Sequence, residues 1–258
     1  MKPAMKISVE LSHQCPLDEL TDHAKAFDSQ GFYRVWVPDT LVSPWEAWMA
    51  ASILAQNTEQ VLIGLGVTNP FTRHPVVMAQ MAATLQRFSN NRLSISLGKG
   101  IQRFLEKAGI EPSPYAEKEC VLILRSLLSG EKTDFQGQTF RIKGIRLRTL
   151  PGPPVPLYLA CVGREAWKQA LGVADGVVTF WNPEAEINRA WAMEQKPIQT
   201  SAMVPFSLSG KEFFGQTIQS LEDLGKKFQE MEAAGFDEGI IAYRDLKDLE
   251  AAASLIKA

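Results

Sequence analysis

Residues 61–75 read Val-Leu-Ile-Gly-Leu-Gly-Val-Thr-Asn-Pro-Phe-Thr-Arg-His-Pro. An apolar run ends at a glycine, and a polar, proline-punctuated turn follows at once. A buried parallel strand ends in this way when it delivers backbone groups and small polar side chains into a pocket. In β/α barrels, pockets form where the strands end.

The same alternation extends in both directions. Short β-branched runs fall at Lys6–Leu11, Arg34–Pro38, Val61–Val67, Leu93–Leu97, Pro156–Cys161, Gly176–Phe180, Ala202–Ser207 and Glu238–Tyr243. Several are continuous apolar runs rather than alternating ones, as strands buried on both faces should be. Helix-period segments fill the gaps: Leu17–Gln30, Trp45–Gln56, Pro75–Phe88, Pro114–Leu128, Arg164–Val173, Pro183–Gln195, Thr217–Ala234 and Leu246–Lys257. Gly31 supplies a C-cap for the first of them. Eight strands, each followed by a helix, predict a (β/α)8 TIM barrel in a single domain over residues 1–258. An open doubly wound sheet is the competing architecture, but the glycine-rich fingerprint it would usually show after strand one is missing. Residues 133–156 break the rhythm, and β-formers around Gly137 predict a small hairpin outside the barrel. Its Lys143, Arg146 and Arg148 read as solvated charges on an edge strand.

Composition narrows the functional classes. The chain has 258 residues, 45% of them hydrophobic and 22% charged, with a formal net charge of −2. That favours neither nucleic acid nor a membrane surface, and no apolar run approaches the ~18 residues of a membrane span. Met1–Lys6 leads straight into a strand without a secretory apolar region, which predicts a cytoplasmic protein. Three widely spaced cysteines, Cys15, Cys120 and Cys161, argue against a disulfide framework or a cysteine zinc site. No two histidines share a helix face at metal spacing, so no metal is expected, and no nucleophile elbow is present.

The strand ends supply the candidate site. They read Glu10-Leu11-Ser12-His13, Pro38-Asp39-Thr40, Gly66-Val67-Thr68-Asn69, Gly98-Lys99-Gly100, Ala160-Cys161-Val162-Gly163-Arg164 and Thr179-Phe180-Trp181-Asn182. Asp39 reads either as an N-cap or as a carboxylate accepting hydrogen bonds from a ligand, and it is the best single catalytic candidate. Gly163-Arg164 opens a helix; backbone N–H groups with a guanidinium could cradle a phosphate there, or the pair is a plain helix start. His13 and His74 read as hydrogen-bonded structural side chains. Trp36, Trp45, Trp48 and Trp181 read as packing, unless one flanks a planar ring at a pocket mouth.

These stretches carry a resemblance. Gly31–Asp39, Ile63–Pro75, Arg92–Gly100, Leu127–Glu131, the Phe135–Ile142 hairpin, Pro154–Ala160 and Ala174–Val177 resemble the luciferase-like flavin and deazaflavin barrels. The wording Gly66-Val67-Thr68-Asn69-Pro70 is similar to the branch containing methylenetetrahydromethanopterin reductase, which uses coenzyme F420. The resemblance implies an oxidoreductase that transfers hydride between F420 and a small organic substrate, as a homodimer or larger homo-oligomer. The alternatives are an FMN-dependent monooxygenase or reductase, and a non-catalytic flavin-binding barrel. It implies a cis peptide at Gly66-Val67 backing the ring, with Asp39, Thr68 and Asn69 nearby. It puts the ring's phosphate chain near Gly98, Lys99 and Gly100 and near Cys161, Val162, Gly163 and Arg164. A residue larger than Gly66 is expected to intrude on the ring. Many relatives place a histidine after the strand-two aspartate; here it is Thr40, so no proton-donor role carries over. The segments Ile101–Ser113 and Ser209–Gln216 are short where relatives carry insertions, which predicts a more open site.

Overall fold

The structure, a computed structural model, describes residues 4–210, 212 and 216–256. Residues 1–3 of the N-terminal reading, positions 211 and 213–215 of the Ser209–Gln216 segment, and Lys257 lie outside the described residues. The chain begins β1 (Lys6–Glu10), α1 (Leu20–Gln30), β2 (Arg34–Val37), α2 (Ala47–Gln56), β3 (Leu62–Thr68), α3 (Pro75–Phe88), β4 (Leu93–Leu97), α4 (Gln102–Lys107) and α5 (Ala116–Leu128). It continues β5 (Thr133–Gln136), β6 (Arg141–Ile145), β7 (Leu157–Ala160), α6 (Arg164–Val173), β8 (Gly176–Phe180), α7 (Pro183–Gln195), β9 (Gln199–Phe206), α8 (Leu221–Ala233), β10 (Glu238–Tyr243) and α9 (Leu246–Ala252). Eight parallel strands close in the order β1-β10-β9-β8-β7-β4-β3-β2, and β5-β6 form an antiparallel hairpin apart from them. The fold is the (β/α)8 barrel, not the open sheet.

Local chemistry explains where the elements start and stop. The α3 helix opens with Pro75 behind His74, whose Nδ1 accepts from the Val76 N–H at 3.3 Å. The α7 helix opens the same way, with Pro183 behind Asn182, whose Oδ1 accepts from Ala185 N–H. Proline suits a first helical turn because the N–H it lacks would have no partner there. Gly31, at φ +81°, closes α1 as expected. Several boundaries differ from the sequence reading, three of them with a visible cause. The α8 helix starts at Leu221 rather than Thr217, because Ser220 caps it and Ile218 bridges Phe206 instead. The α2 helix starts at Ala47, with Glu46 accepting from Met49 N–H as its cap. The β9 strand begins three positions before Ala202, through a polar run whose side chains have buried partners.

The strands separate two cores. Residues such as Val9, Val35, Ile63, Leu65, Ile95 and Val177 pack outward against the helices. Trp36, Tyr158, Val178, Met203, Ile240 and Ala242 fill the barrel interior. Beneath them lies a polar network centred on Glu238. Glu238 accepts from Arg34 Nη1 (2.8 Å), Trp36 Nε1 (3.0 Å) and Ser201 Oγ (2.9 Å). A buried carboxylate so fully engaged is the arrangement a buried ion pair needs, and it fixes the Trp36 ring.

The N-terminal end of the barrel is stitched by side chain to backbone bonds. Asp28, near the end of α1, accepts the N–H groups of Glu59, Gln60 and Val61 ahead of β3. Asp175 accepts from Leu157 N–H, and Asp237 from Thr200 N–H. Arg92 donates to the carbonyls of Ala55, Thr58, Val61 and Ser89. The hairpin is held from α5: Glu119, buried, accepts from the N–H groups of Gln138, Thr139 and Phe140. A Cβ on Gly137 would lie 2.3 Å from its Oε2.

Candidate functional site

A cavity of about 500 Å³ opens at the C-terminal ends of β3, β4, β7 and β8. Its wall is laid down by the opening stretch. The β3–β4 register shifts between Gly66 and Thr68, and the Gly66-Val67 peptide is cis, where the resemblance put it. Val67 lines the cavity beside Leu97, Leu159 and Ala160. Packing behind this wall is tight: a Cβ on Gly98 would sit 3.0 Å from the Ala160 Cβ and 3.1 Å from the Val67 Cβ. Trp36, Val178 and Met203 make the floor.

Gly66 has a different reason from the one expected. A Cβ there would lie 2.3 Å from Cε3 of Trp36, and the same holds at Gly64. Glycine at both positions makes room for the indole inside the barrel, so a substitution strikes Trp36 first.

The polar groups are few. Glu10, 7% exposed, lines the cavity from β1, and its Oε1 lies 3.2 Å from His13 Nε2. Lys99 and Glu117 face the cavity from the β4 end and α5. Burial raises the Glu117 carboxyl above its usual range, and the Lys99 charge opposes that. The α6 helix meets the cavity with its N-terminus: Gly163 is the N-cap, no side chain caps the turn, and Val162, Gly163 and Ala166 line the cavity. Unmatched backbone donors there favour an anion.

Of the residues singled out from sequence, the structure brings Gly66, Val67, Lys99, Gly100, Cys161, Val162 and Gly163 to the cavity. Asp39, Thr68, Asn69, Gly98 and Arg164 are not among its lining. Asp39 is occupied: its Oδ2 accepts from Thr68 Oγ1 (2.6 Å) and pairs with Arg73 Nη1 (2.5 Å). Burial raises its carboxyl, against the Thr68 bond and the Arg73 charge. Asn69 closes its own turn, with Oδ1 accepting from Phe71 and Thr72 N–H. Arg164 turns outward. Its Nε donates to Asn188 Oδ1 at 2.7 Å, and its guanidinium lies 4.4 Å over the Trp191 ring. Any anion at this helix start would therefore meet backbone N–H groups rather than that guanidinium.

The sequence places Glu10 at a strand end without assigning it a role and reads Trp36 as packing or as flanking a ring; Glu117 is not singled out at all. Glu10 carried a signal, as the acid that ends β1 at the rim where the cavity opens. Glu117 carried none, because it reaches the cavity from a helix distant in sequence from the strand ends. The short Ile101–Ser113 segment after β4, to which no helix was assigned from sequence, contains α4. Among the described residues, no group of three His, Cys, Asp or Glu side chains could hold a metal ion. No described helix is long and apolar enough to cross a membrane.

Residues 4–195 match the family model described as luciferase-like monooxygenase. The chain belongs to that family. Among curated relatives of this luciferase-like chain, F420-dependent hydroxymycolic acid dehydrogenase of Mycobacterium tuberculosis is 28% identical, over 95% of this chain and 68% of its own length. The 5,10-methylenetetrahydromethanopterin reductase of Methanolobus tindarius is 30% identical, over 67% of this chain and 53% of its own length. The chain thus spans about two thirds of the first relative and about half of the second. Among solved structures, the coenzyme F420 dependent tetrahydromethanopterin reductase from Methanopyrus kandleri superposes with a TM-score of 0.83 at 19% identity, covering 97% of each chain. That likeness establishes the shared barrel.

Proposed function

We propose that this luciferase-like barrel is an F420-dependent oxidoreductase acting on a small organic substrate. The observation that carries the reading is the pairing, in one cavity, of an apolar wall with an uncapped helix N-terminus. An aromatic ring system with a phosphate-bearing side chain needs both. The wall is Val67, Leu97, Leu159 and Ala160; the anion end is the first turn of α6, with Lys99 lining the same cavity. The residues present therefore fit a deazaflavin. The names of the relatives support the same cofactor, with FMN the alternative within the family.

When bound, the deazaflavin supplies a two-electron hydride donor or acceptor. The chain supplies the rest. Val67 and the Trp36 floor orient the ring plane, and the apolar wall keeps water from it. Glu10, largely buried and adjoining His13, would exchange a proton with the substrate at a carboxylate oxygen facing the cavity. The Arg73-bound Asp39 carboxylate steadies the β3 end from behind rather than touching the substrate. The same reading has the protein in the cytoplasm and self-associating. Exposed Met49, Val77 and Phe88 on the neighbouring helices α2 and α3 support the latter.

The test is a titration of the purified protein with F420 and separately with FMN, followed by fluorescence quenching. Micromolar binding of F420 with much weaker FMN binding is expected. Binding of neither would sink the enzyme reading.

A further inference from the structure

The barrel mouth has a second half. A depression of about 240 Å³ lies over the ends of β1, β2 and β10, lined by Ser12, Thr40, Ser43, Arg103, Tyr243 and Arg244 among others. The α4 helix reaches across from the β4 side and closes it with Arg103 and Phe104. This depression adjoins the ring cavity at the Glu10–His13 pair and at Gly100-Ile101, since Glu10 and Gly100 line one and His13 and Ile101 the other.

Its charge is one-sided. Two arginines line it and no carboxylate does. The larger cavity holds three glutamates against one lysine. Neither guanidinium forms an ion pair or a side-chain hydrogen bond among the described residues. Arg103 rests only over the Phe104 ring, at 4.8 Å. Arg244 is anchored through its backbone: its carbonyl accepts from Ser12 Oγ (2.6 Å) and its N–H donates to Asp248 Oδ2 (3.3 Å). The chain therefore fixes where Arg244 starts and leaves its fork of donors unspent. Paired guanidinium groups over a rim of hydroxyls recognise carboxylate or phosphate oxygens.

We infer that this half of the mouth is an anion subsite, in which Arg103 and Arg244 hold a carboxylate or phosphate carried by the substrate. The inference rests on the proposed oxidoreductase reading for the word substrate, though not for the anion. Carboxylate and phosphate share this chemistry, and so does the anionic tail of F420. The uncapped α6 N-terminus on the cavity side of the mouth is the place proposed above for the ring's phosphate, which leaves Arg103 and Arg244 to the substrate. The anchored anion then directs the rest of a small molecule toward Glu10 and the ring cavity.

The test uses the full chain without cofactor, titrated calorimetrically with inorganic phosphate and with acetate at constant ionic strength. Saturable binding of at least one is expected. R103A and R244A should each weaken it about tenfold or more. R244K should retain more affinity than R244Q, and R141A, on the outer hairpin, should change nothing. Absence of saturable binding, or equal binding by the R103A/R244A double variant, overturns the subsite. A second titration is made in the presence of F420 and of the tail-less deazaflavin alcohol. Phosphate binding alongside both supports the substrate assignment. Displacement by F420 alone overturns it, because the tail then occupies the arginines. Failure of every flavin to bind would remove the oxidoreductase reading and leave the phosphate result to stand or fall by itself.

Discussion

Gly66→Ala tests the packing between β3 and the barrel floor. The added Cβ would sit 2.3 Å from Cε3 and 3.0 Å from Cζ3 of Trp36. Real contacts of that kind stay beyond about 3.4 Å, so one partner must move by roughly 1 Å. The indole has little freedom to move. It is 1% exposed, its Nε1 donates to Glu238, and its face adjoins the Arg34 guanidinium at 4.8 Å. Overpacking of a fixed core side chain costs about 1–3 kcal/mol. For a barrel of this size that lowers Tm by roughly 2–10 °C. Thermal and urea unfolding of wild type and G66A measure it, with F420 titration alongside to read the tilt of the cavity floor. The cost belongs to one pair of residues, so a double-mutant cycle isolates it. In a Trp36→Leu background the G66A penalty should nearly vanish. An unchanged Tm in G66A, or an equal penalty in both backgrounds, would show that Trp36 is not what excludes a side chain at this position.

Four further outcomes are expected. Glu10→Gln should lower turnover of a deazaflavin-dependent reaction about a hundredfold or more while leaving F420 affinity near wild type; a matching loss of affinity would assign Glu10 to binding alone. Glu119→Ala strips the acceptor from three hairpin N–H groups and should cost about 3 kcal/mol, with hydrogen exchange at Gln138–Phe140 the local readout; continued protection there would count against the staple. Burial lowers the His23 imidazole to about 4, against the nearby Asp22 charge. The unfolded chain therefore takes up the proton first as pH falls below the ordinary 6.5, and stability complete above that value drains away toward pH 4, by up to about 3 kcal/mol. Urea midpoints at pH 7 and 4.5 should show a smaller drop in H23Q than in wild type, and equal drops would remove His23 as the cause. Burial pushes the thiols of Cys15 and Cys161 up to about 12, so native protein at pH 8 should resist iodoacetamide until urea unfolds it.

The fold was legible because strand and helix runs here carry strong local signals. Pro75 and Pro183 behind capping residues mark helix starts to the residue, and Gly31 marks a stop. The sequence reading slipped where tertiary partners overrode local character. Gln199, Thr200 and Ser201 look like a loop, yet they form a strand because Tyr158, Asp237 and Glu238 meet their polar side chains. Thr217–Ser220 fits a helical period, yet Ile218 pairs with Phe206. The candidate site was legible in its backbone and obscure in its side chains. Glycines and small residues at the strand ends announce a cavity whatever lies around them. Whether Asp39 or Arg164 points into it depends on Arg73, Thr68, Asn188 and Trp191, whose proximity no local window encodes. The Arg103–Arg244 juxtaposition spans most of the chain and is visible only once the barrel has closed.

The stitches formed by Asp28, Arg92, Asp175 and Asp237 all sit at the end of the barrel away from the cavity. Each ties the entry of one strand to its neighbour by bonds to backbone, so the sequence of the opposite loops is irrelevant to them. The barrel thus keeps its frame in one rim and its chemistry in the other. Substitutions in Ser12–Gln14, Thr40–Ser43 and Ile101–Phe104 can recut the mouth for a different molecule without loosening the strands beneath. This division lets one scaffold drift between substrates while its cofactor wall stays in place, and it marks the mouth loops as the segments to exchange when a new specificity is sought.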